Sequence, residues 1–233
     1  MSFSFRRFFS FFCFFVFVLI TRAQTVDVNG LSYSIDSKSL TASLVGISTL
    51  SSSDVVIDDE IVIDKVSFTV TSIGKKAFYN SSVSSVTIPN SIILIGDQAF
   101  YNCSALRKVV LEDGSSLLTF NSPTSSCFGS SNDSSNNLKS LYVGRSFDFT
   151  YHSPFSYQPN LVDVLIGPFV SSLPANFLDH DTALTSLTIP SNVQSLGSSA
   201  FDFCENLTNV VFVDEGSKLL SIPSYGFRGC SKL

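Results

Sequence analysis

Short apolar, variable, apolar triplets recur along most of the chain. They are Val86-Thr87-Ile88, Val109-Val110-Leu111, Leu141-Tyr142-Val143, Val164-Leu165-Ile166, Leu187-Thr188-Ile189 and Val210-Val211-Phe212. Apolar residues at the outer places, with freedom at the middle one, mark a short strand that buries one face. Pro89 and Pro190 close two of these strands, since proline cannot donate to a ladder in mid-sheet. A second motif precedes the triplets: Ala77-Phe78, Ala99-Phe100, Ala200-Phe201 and Gly226-Phe227, whose phenylalanines each lie five residues after Ile73, Ile95, Leu196 or Ile222. Weaker copies centre on Phe128, Phe155 and Phe177.

One strand and one turn bury too little apolar area to stand alone, whereas stacked copies bury a continuous core. The pattern therefore predicts a β-rich repeat solenoid over residues 71–233. Short parallel strands form one side, and turns or short helical segments form the other. Glycines after Ile73, Ile95 and Leu196 are expected to give the backbone its freedom to turn. Two stretched spacings point to insertions, a Ser/Asn-rich one near 122–137 and an aromatic one with two prolines near 144–159. Residues 24–70 alternate without the period and read as an N-terminal β cap. The chain stops inside a repeat, so the last coil is expected to be uncapped and available for self-association.

The fullest copies run Ile95-Gly96, Ala99-Phe100, Cys103, Leu106, Val109, Leu111 and Leu196-Gly197, Ala200-Phe201, Cys204, Leu207, Val210, Phe212. This pattern resembles the BspA-type leucine-rich repeat. The resemblance implies a leucine-rich-repeat solenoid of secreted or cell-surface proteins associated with adhesion, and it brings no catalytic residues with it.

Residues 1–23 place Arg6 and Arg7 before an apolar run of about 13 residues, short of the roughly 20 that a membrane-spanning helix needs. Thr21-Arg22-Ala23 then offers small residues for cleavage, so the segment reads as a secretory signal peptide. Nothing later resembles a membrane span. A secreted or extracellular surface location follows, and with it an oxidising setting in which a Cys204–Cys230 bridge between adjacent coils is admissible. The alternative for Cys103, Cys204 and Cys230, which share one repeat position, is a column of small buried hydrophobes. Sequons at Asn80, Asn102, Asn132 and Asn206 are candidate glycosylation sites that require exposure.

Charged residues make up only 14% of the chain, against about 25% in a typical soluble protein, and Ser, Thr and Asn fill the difference. Stacked turns favour these small polar residues because they satisfy local backbone groups. With 14 Lys+Arg against 19 Asp+Glu there is no basic surplus for nucleic acid. No hydrolase, metalloprotease or phosphate-loop string occurs. Asp179-His180-Asp181 reads as a solvated turn and Asp58-Asp59-Glu60 as a charged junction between strands, so neither catalysis, a metal nor a cofactor is expected.

The middle triplet positions instead define a candidate ligand-binding face: Thr87, Val110, Tyr142, Leu165, Thr188 and Val211, with Lys108 and Asp163 beside it. Val110, Tyr142 and Leu165 form an apolar centre with polar ends, the arrangement of a protein-binding patch. The expected function is non-catalytic recognition of a host or matrix protein or glycan. The alternative is a glycosylated coat component that self-associates end to end.

Overall fold

The computed structural model describes residues 24–129, 136–213, 216 and 218–233; the expected leader at 1–23 and the sequon at Asn132 lie outside these. The described chain begins as an antiparallel meander of β1 (Gln24–Val28), β2 (Leu31–Asp36) and β3 (Thr41–Ile47). Asn29 and Gly30 turn between β1 and β2 with φ of 51° and 82°, the paired left-handed geometry of a two-residue hairpin. A second hairpin joins β5 (Glu60–Ile63) to β6 (Val66–Ile73) through Asp64 and Lys65, again both left-handed.

Two parallel ladders follow. The first runs β4 (Asp54–Val56), β7 (Ser85–Ile88), β9 (Lys108–Leu111), β11 (Ser140–Arg145) and β13 (Asp163–Phe169), built on the triplets. β15 (Ser186–Ile189) and β17 (Asn209–Phe212) form a separate parallel pair. The second ladder starts within the cap, since β3 pairs in parallel with β6, and continues through β8 (Leu94–Ile95), β10 (Leu118–Phe120) and β12 (Phe147–Phe149). It too is interrupted before the pair β14 (Ser172–Leu173) and β16 (Ser195–Leu196). Parallel stacking therefore begins upstream of residue 71. The expected insertion near 144–159 also supplies regular structure, because the end of β11 and all of β12 lie within it.

The third side of each coil consists of turns, with no helix among the described residues. Left-handed residues recur in pairs four apart, Lys76 and Asn80, Gln98 and Asn102, Asn176 and His180, Ser199 and Phe203. Main-chain bonds link these turns coil to coil, as in Phe78 N to Ala99 O (2.8 Å) and Leu178 N to Ala200 O (2.8 Å). The second bond corrects the register of the fifth anchor. Leu178, not Phe177, occupies the place of Phe201, and Phe177 stands where the adjacent coils have Pro154 and Ala200 and the earlier ones Ala77, Ala99 and Cys127.

In-register rings stack inside the solenoid: Phe78 on Phe100 at 4.8 Å, Phe100 on Phe128 at 5.0 Å, Phe128 on Phe155 at 5.2 Å, and Phe201 on Phe227 at 5.1 Å. Phe177 meets its neighbours edge-on at wider spacing, 5.6 Å to Phe147 and 6.2 Å to Phe201. This outsized residue coincides with the joint at which both ladders are interrupted.

The repeat glycines serve spacing rather than turning. None of Gly74, Gly96 and Gly197 has a positive φ. A Cβ at Gly197 would lie 2.1 Å from Ala175 N, and one at Gly96 would lie 2.8 Å from Lys75 N, so the preceding coil's backbone occupies the space. Arg145 is a further core feature that the pattern does not announce. It is wholly buried, and its guanidinium donates to Asn90 O (2.7 Å) and Pro89 O (2.9 Å). Burial pushes its pKa down to about 10.

Candidate binding face

The first ladder brings the middle triplet residues into one row. Thr87 pairs with Val110, Val110 with Tyr142, and Tyr142 with Leu165, while Thr188 pairs with Val211 beyond the joint. Their neighbours Lys108, Ser140 and Asp163 share a parallel row. The outer triplet residues point into the core, with Val86, Val109, Leu141, Val164 and Leu187 all buried. Leu165 is 58% exposed and Val211 44%. Thr188 is also exposed, whereas Thr87, Val110 and Tyr142 are half-buried. At about 4.8 Å per strand, the five hydrogen-bonded strands from β4 to β13 span roughly 19 Å.

β4 extends the row by one position that the sequence reading omitted. Val56 pairs with Thr87 and is 66% exposed. The signal was available, since Val55-Val56-Ile57 is itself an apolar triplet, but the strand sits among antiparallel cap strands. Asp54 stands at the same end and accepts from Ser84 Oγ (2.7 Å) and Ser85 Oγ (2.8 Å), which hold its carboxyl below the usual range.

Tyr142 is less apolar in role than its place in the pattern suggests. Its hydroxyl donates to Asp113 Oδ1 at 2.6 Å, and this bond raises the phenol's pKa to about 12. Gly144 and Gly167 make room for the pair. A Cβ at Gly167 would lie 2.7 Å from Tyr142 Oη, and one at Gly144 would lie 2.5 Å from Asp113 N. Ser140 Oγ likewise donates to Asp163 Oδ2 at 2.9 Å. The middle of the face is therefore a fixed ring bordered by ordered polar groups. Where β13 and β15 part, a groove of about 280 Å³ opens beside Leu165 and Thr188.

Other expected sites resolve differently. Asp179-His180-Asp181 is not a solvated turn: Asp181 is fully buried, its Oδ1 accepts from Gln158 N (2.7 Å), and burial raises its pKa well above the ordinary value. His180 stacks between Tyr157 (4.5 Å) and Phe203 (4.7 Å) while its Nδ1 meets Asp179 Oδ1 at 2.7 Å. Among the described residues no cluster of His, Cys, Asp and Glu could hold a metal. The Cys204–Cys230 bridge is not formed. Each thiol instead donates to a carbonyl of the preceding coil, Cys204 to Leu178 O and Cys230 to Phe201 O (3.1 Å each), as Cys103 does to Phe78 O (3.0 Å). With the register corrected, Ser81, Gln158 and Asp181 occupy this cysteine place in the described coils that lack one. Among the sequons, Asn80 is exposed, whereas Asn102 and Asn206 are half-buried and donate from Nδ2 to Asn80 Oδ1 (2.6 Å) and Thr182 O (2.7 Å).

Comparison with known proteins agrees with this architecture. The family model for the BspA type leucine-rich repeat region matches in six copies over residues 71–177 and 127–233. Comparison with curated proteins gives no match. Among solved structures, the chain is similar to the pneumococcal vaccine antigen PcpA, at 19% identity over 83% of this chain and 51% of that one, with a TM-score of 0.55. It is also similar to a leucine-rich repeat protein of T. pallidum (17% identity, 90% of this chain and 91% of that one, TM-score 0.48). A third is a leucine-rich cell surface protein from Faecalibacterium prausnitzii A2-165 (18%, 84% and 55%, TM-score 0.45). At these identities the likeness concerns the fold. Among the described residues no helix is long and apolar enough to cross a membrane.

Proposed function

The chain belongs to the BspA-type leucine-rich repeat family, and from that premise we propose that it is a non-catalytic recognition protein, secreted or displayed at a cell surface, that adheres to a host or matrix protein or glycan through its first ladder. The reading is carried by one observation: from Val56 to Leu165 five successive middle positions lie in register on the solvent side of a single parallel sheet. Apolar side chains along a rigid surface, flanked by the polar row of Lys108, Ser140 and Asp163, supply the desolvated contacts that protein recognition uses. The leader-like pattern of residues 1–23 supports export.

The test is binding of the purified chain to extracellular-matrix extract and to intact epithelial cells. Leu165→Asp and Val110→Asp should each weaken binding at least tenfold while leaving circular dichroism and the melting temperature unchanged. Undiminished binding by both folded variants would remove the face from consideration. A second reading, a coat component that self-associates end to end, draws on the exposed Leu220 and Ile222 of the last described coil. Sedimentation over a concentration series separates the two, because only the coat component should lengthen with concentration.

A further inference from the structure

Beyond the strand residues that the second insertion gives to β11 and β12, the two sequence insertions meet on the turn side of the solenoid. Ser126 Oγ of the first donates to Pro154 O of the second (3.2 Å), and Asn136 Nδ2 donates to Tyr157 O (3.1 Å). Between them lies a groove of about 210 Å³ that also reaches Tyr101 of the preceding coil. Its origin is a break in a surface ladder. Tyr79 and Tyr101 follow the anchoring phenylalanines of their coils and stack at 5.9 Å. Asn102 N bonds to Gly129 O as Asn80 N bonds to Tyr101 O, so Gly129 holds the next place in that row and has no ring to offer. A Cβ there would lie 3.7 Å from Tyr101 Cε2, so the groove begins at the edge of that ring.

We propose that this groove is a second binding site, on the turn side of the solenoid, and that it takes a neutral glycan. Three features carry the assignment. Its described lining holds no Asp, Glu, Lys or Arg, although the chain as a whole is acidic, and His152 is its one basic side chain. The polar groups are the hydroxyls of Ser125, Ser126, Ser153 and Ser156, the Asn136 amide and the His152 ring; Ser126, Ser153 and Ser156 donate within the fold, so their oxygens are left to accept from the hydroxyls of a sugar. Both aromatic walls are held in place, Tyr101 by Tyr79 and Tyr157 by His180 at 4.5 Å with 9° between planes. An aromatic face carries negative charge density, which suits the weakly positive C–H bonds of a pyranose, and rings ordered in advance reduce the entropy lost on binding. The volume lies below the roughly 300–1,000 Å³ of sites for drug-sized molecules, so it fits a single sugar ring of a longer chain.

This site does not depend on the sheet face, and the two fail separately. Saturation-transfer NMR of the full chain with methyl glycosides of glucose, galactose, mannose and N-acetylglucosamine, and with sialyllactose as the charged arm, should show transfer to the C–H protons of at least one neutral sugar. Tyr101→Ala and Tyr157→Ala should each weaken that binding at least tenfold, Tyr101→Phe should retain it, and Leu165→Asp on the sheet face should leave it unchanged. Ser156→Trp, which fills the groove from a partly exposed position, should abolish it even if an alanine variant unfolds. Silence from every neutral sugar, preference for sialyllactose, or full binding by Ser156→Trp would overturn the proposal.

Discussion

Replacing repeat glycines by alanine separates spacing from conformational freedom as their reason for being there. At Gly197 the new Cβ would sit 2.1 Å from Ala175 N and 2.4 Å from Pro174 C, both backbone atoms that cannot swing aside. Ordinary carbon contacts lie at about 3.5–4.0 Å, so the two coils must part by more than about 1 Å. Overpacking of this kind costs about 1–3 kcal/mol, and the Gly197 N to Leu173 O bond of 2.8 Å is worth about 1 kcal/mol more. Loss of unfolded-state entropy returns about 0.4–1 kcal/mol. The net expectation is a loss of about 2–3 kcal/mol, or roughly 5–10 °C in melting temperature for a chain of this size. Gly96→Ala, with its nearest contact at 2.8 Å, should cost less, and Gly74→Ala, at 3.2 Å from Leu44 O, less again. Gly46 has nothing within 4 Å and no positive φ, so Gly46→Ala should be neutral or slightly stabilising. Urea and thermal denaturation followed by circular dichroism measure the series. Equal midpoints for the Gly197 and Gly46 variants would refute the spacing account.

Asp181 should make the protein less stable as pH rises. The unfolded carboxyl releases its proton near pH 4 while the buried one retains it, so the unfolded state sheds protons first and stability declines above that pH. Asp181→Asn keeps the acceptor for Gln158 N and should raise the melting temperature at pH 7 but not at pH 3. Tyr142→Phe should remove one late-ionising phenol from a spectrophotometric titration, leaving Tyr33, which burial also raises to about 12. The stabilisation from the Tyr142–Asp113 bond is full below about pH 10 and is lost as pH climbs towards 12, so wild type and variant melts should converge over that window. Burial raises the pKa of the Cys204 thiol, so it should react with a thiol reagent at pH 8 only as the chain unfolds. Reductant should leave the melting curve unchanged, and a reductant-sensitive midpoint would mean that the bridge forms.

The triplets made the first ladder readable because strand alternation has period two and each triplet carries it complete. Residue by residue the face follows, as Val109 in and Val110 out. The fifth anchor was misread by one place because Phe177 and Leu178 are both fully buried and adjacent, and composition favours the ring. Only the bond from Leu178 N to Ala200 O fixes the register. Short second-ladder strands such as Leu94–Ile95 are too brief to show a period. Arg145 and Asp181 were hidden for another reason, since a charged residue reads as surface until its partners in distant coils are known. The groove at Gly129 depends on a side chain that is missing, which no pattern of present residues can announce.

The joint behind β13 matters most when the molecule is loaded. Coils coupled only to their neighbours act as springs in series, and tension runs through every interface in turn. Between the coils before the joint two hydrogen-bonded strand walls share that tension with the turn side. At this joint, the turn-side bonds Tyr157 N to Asp179 O (2.8 Å) and Gln158 N to Asp181 Oδ1 (2.7 Å), and the side-chain tie from Ser171 N to Ser146 Oγ (3.0 Å), stand in for both walls. In the adhesive role proposed above this is a fuse: under shear the coils from residue 172 onward should part from those before it, which keep their grip.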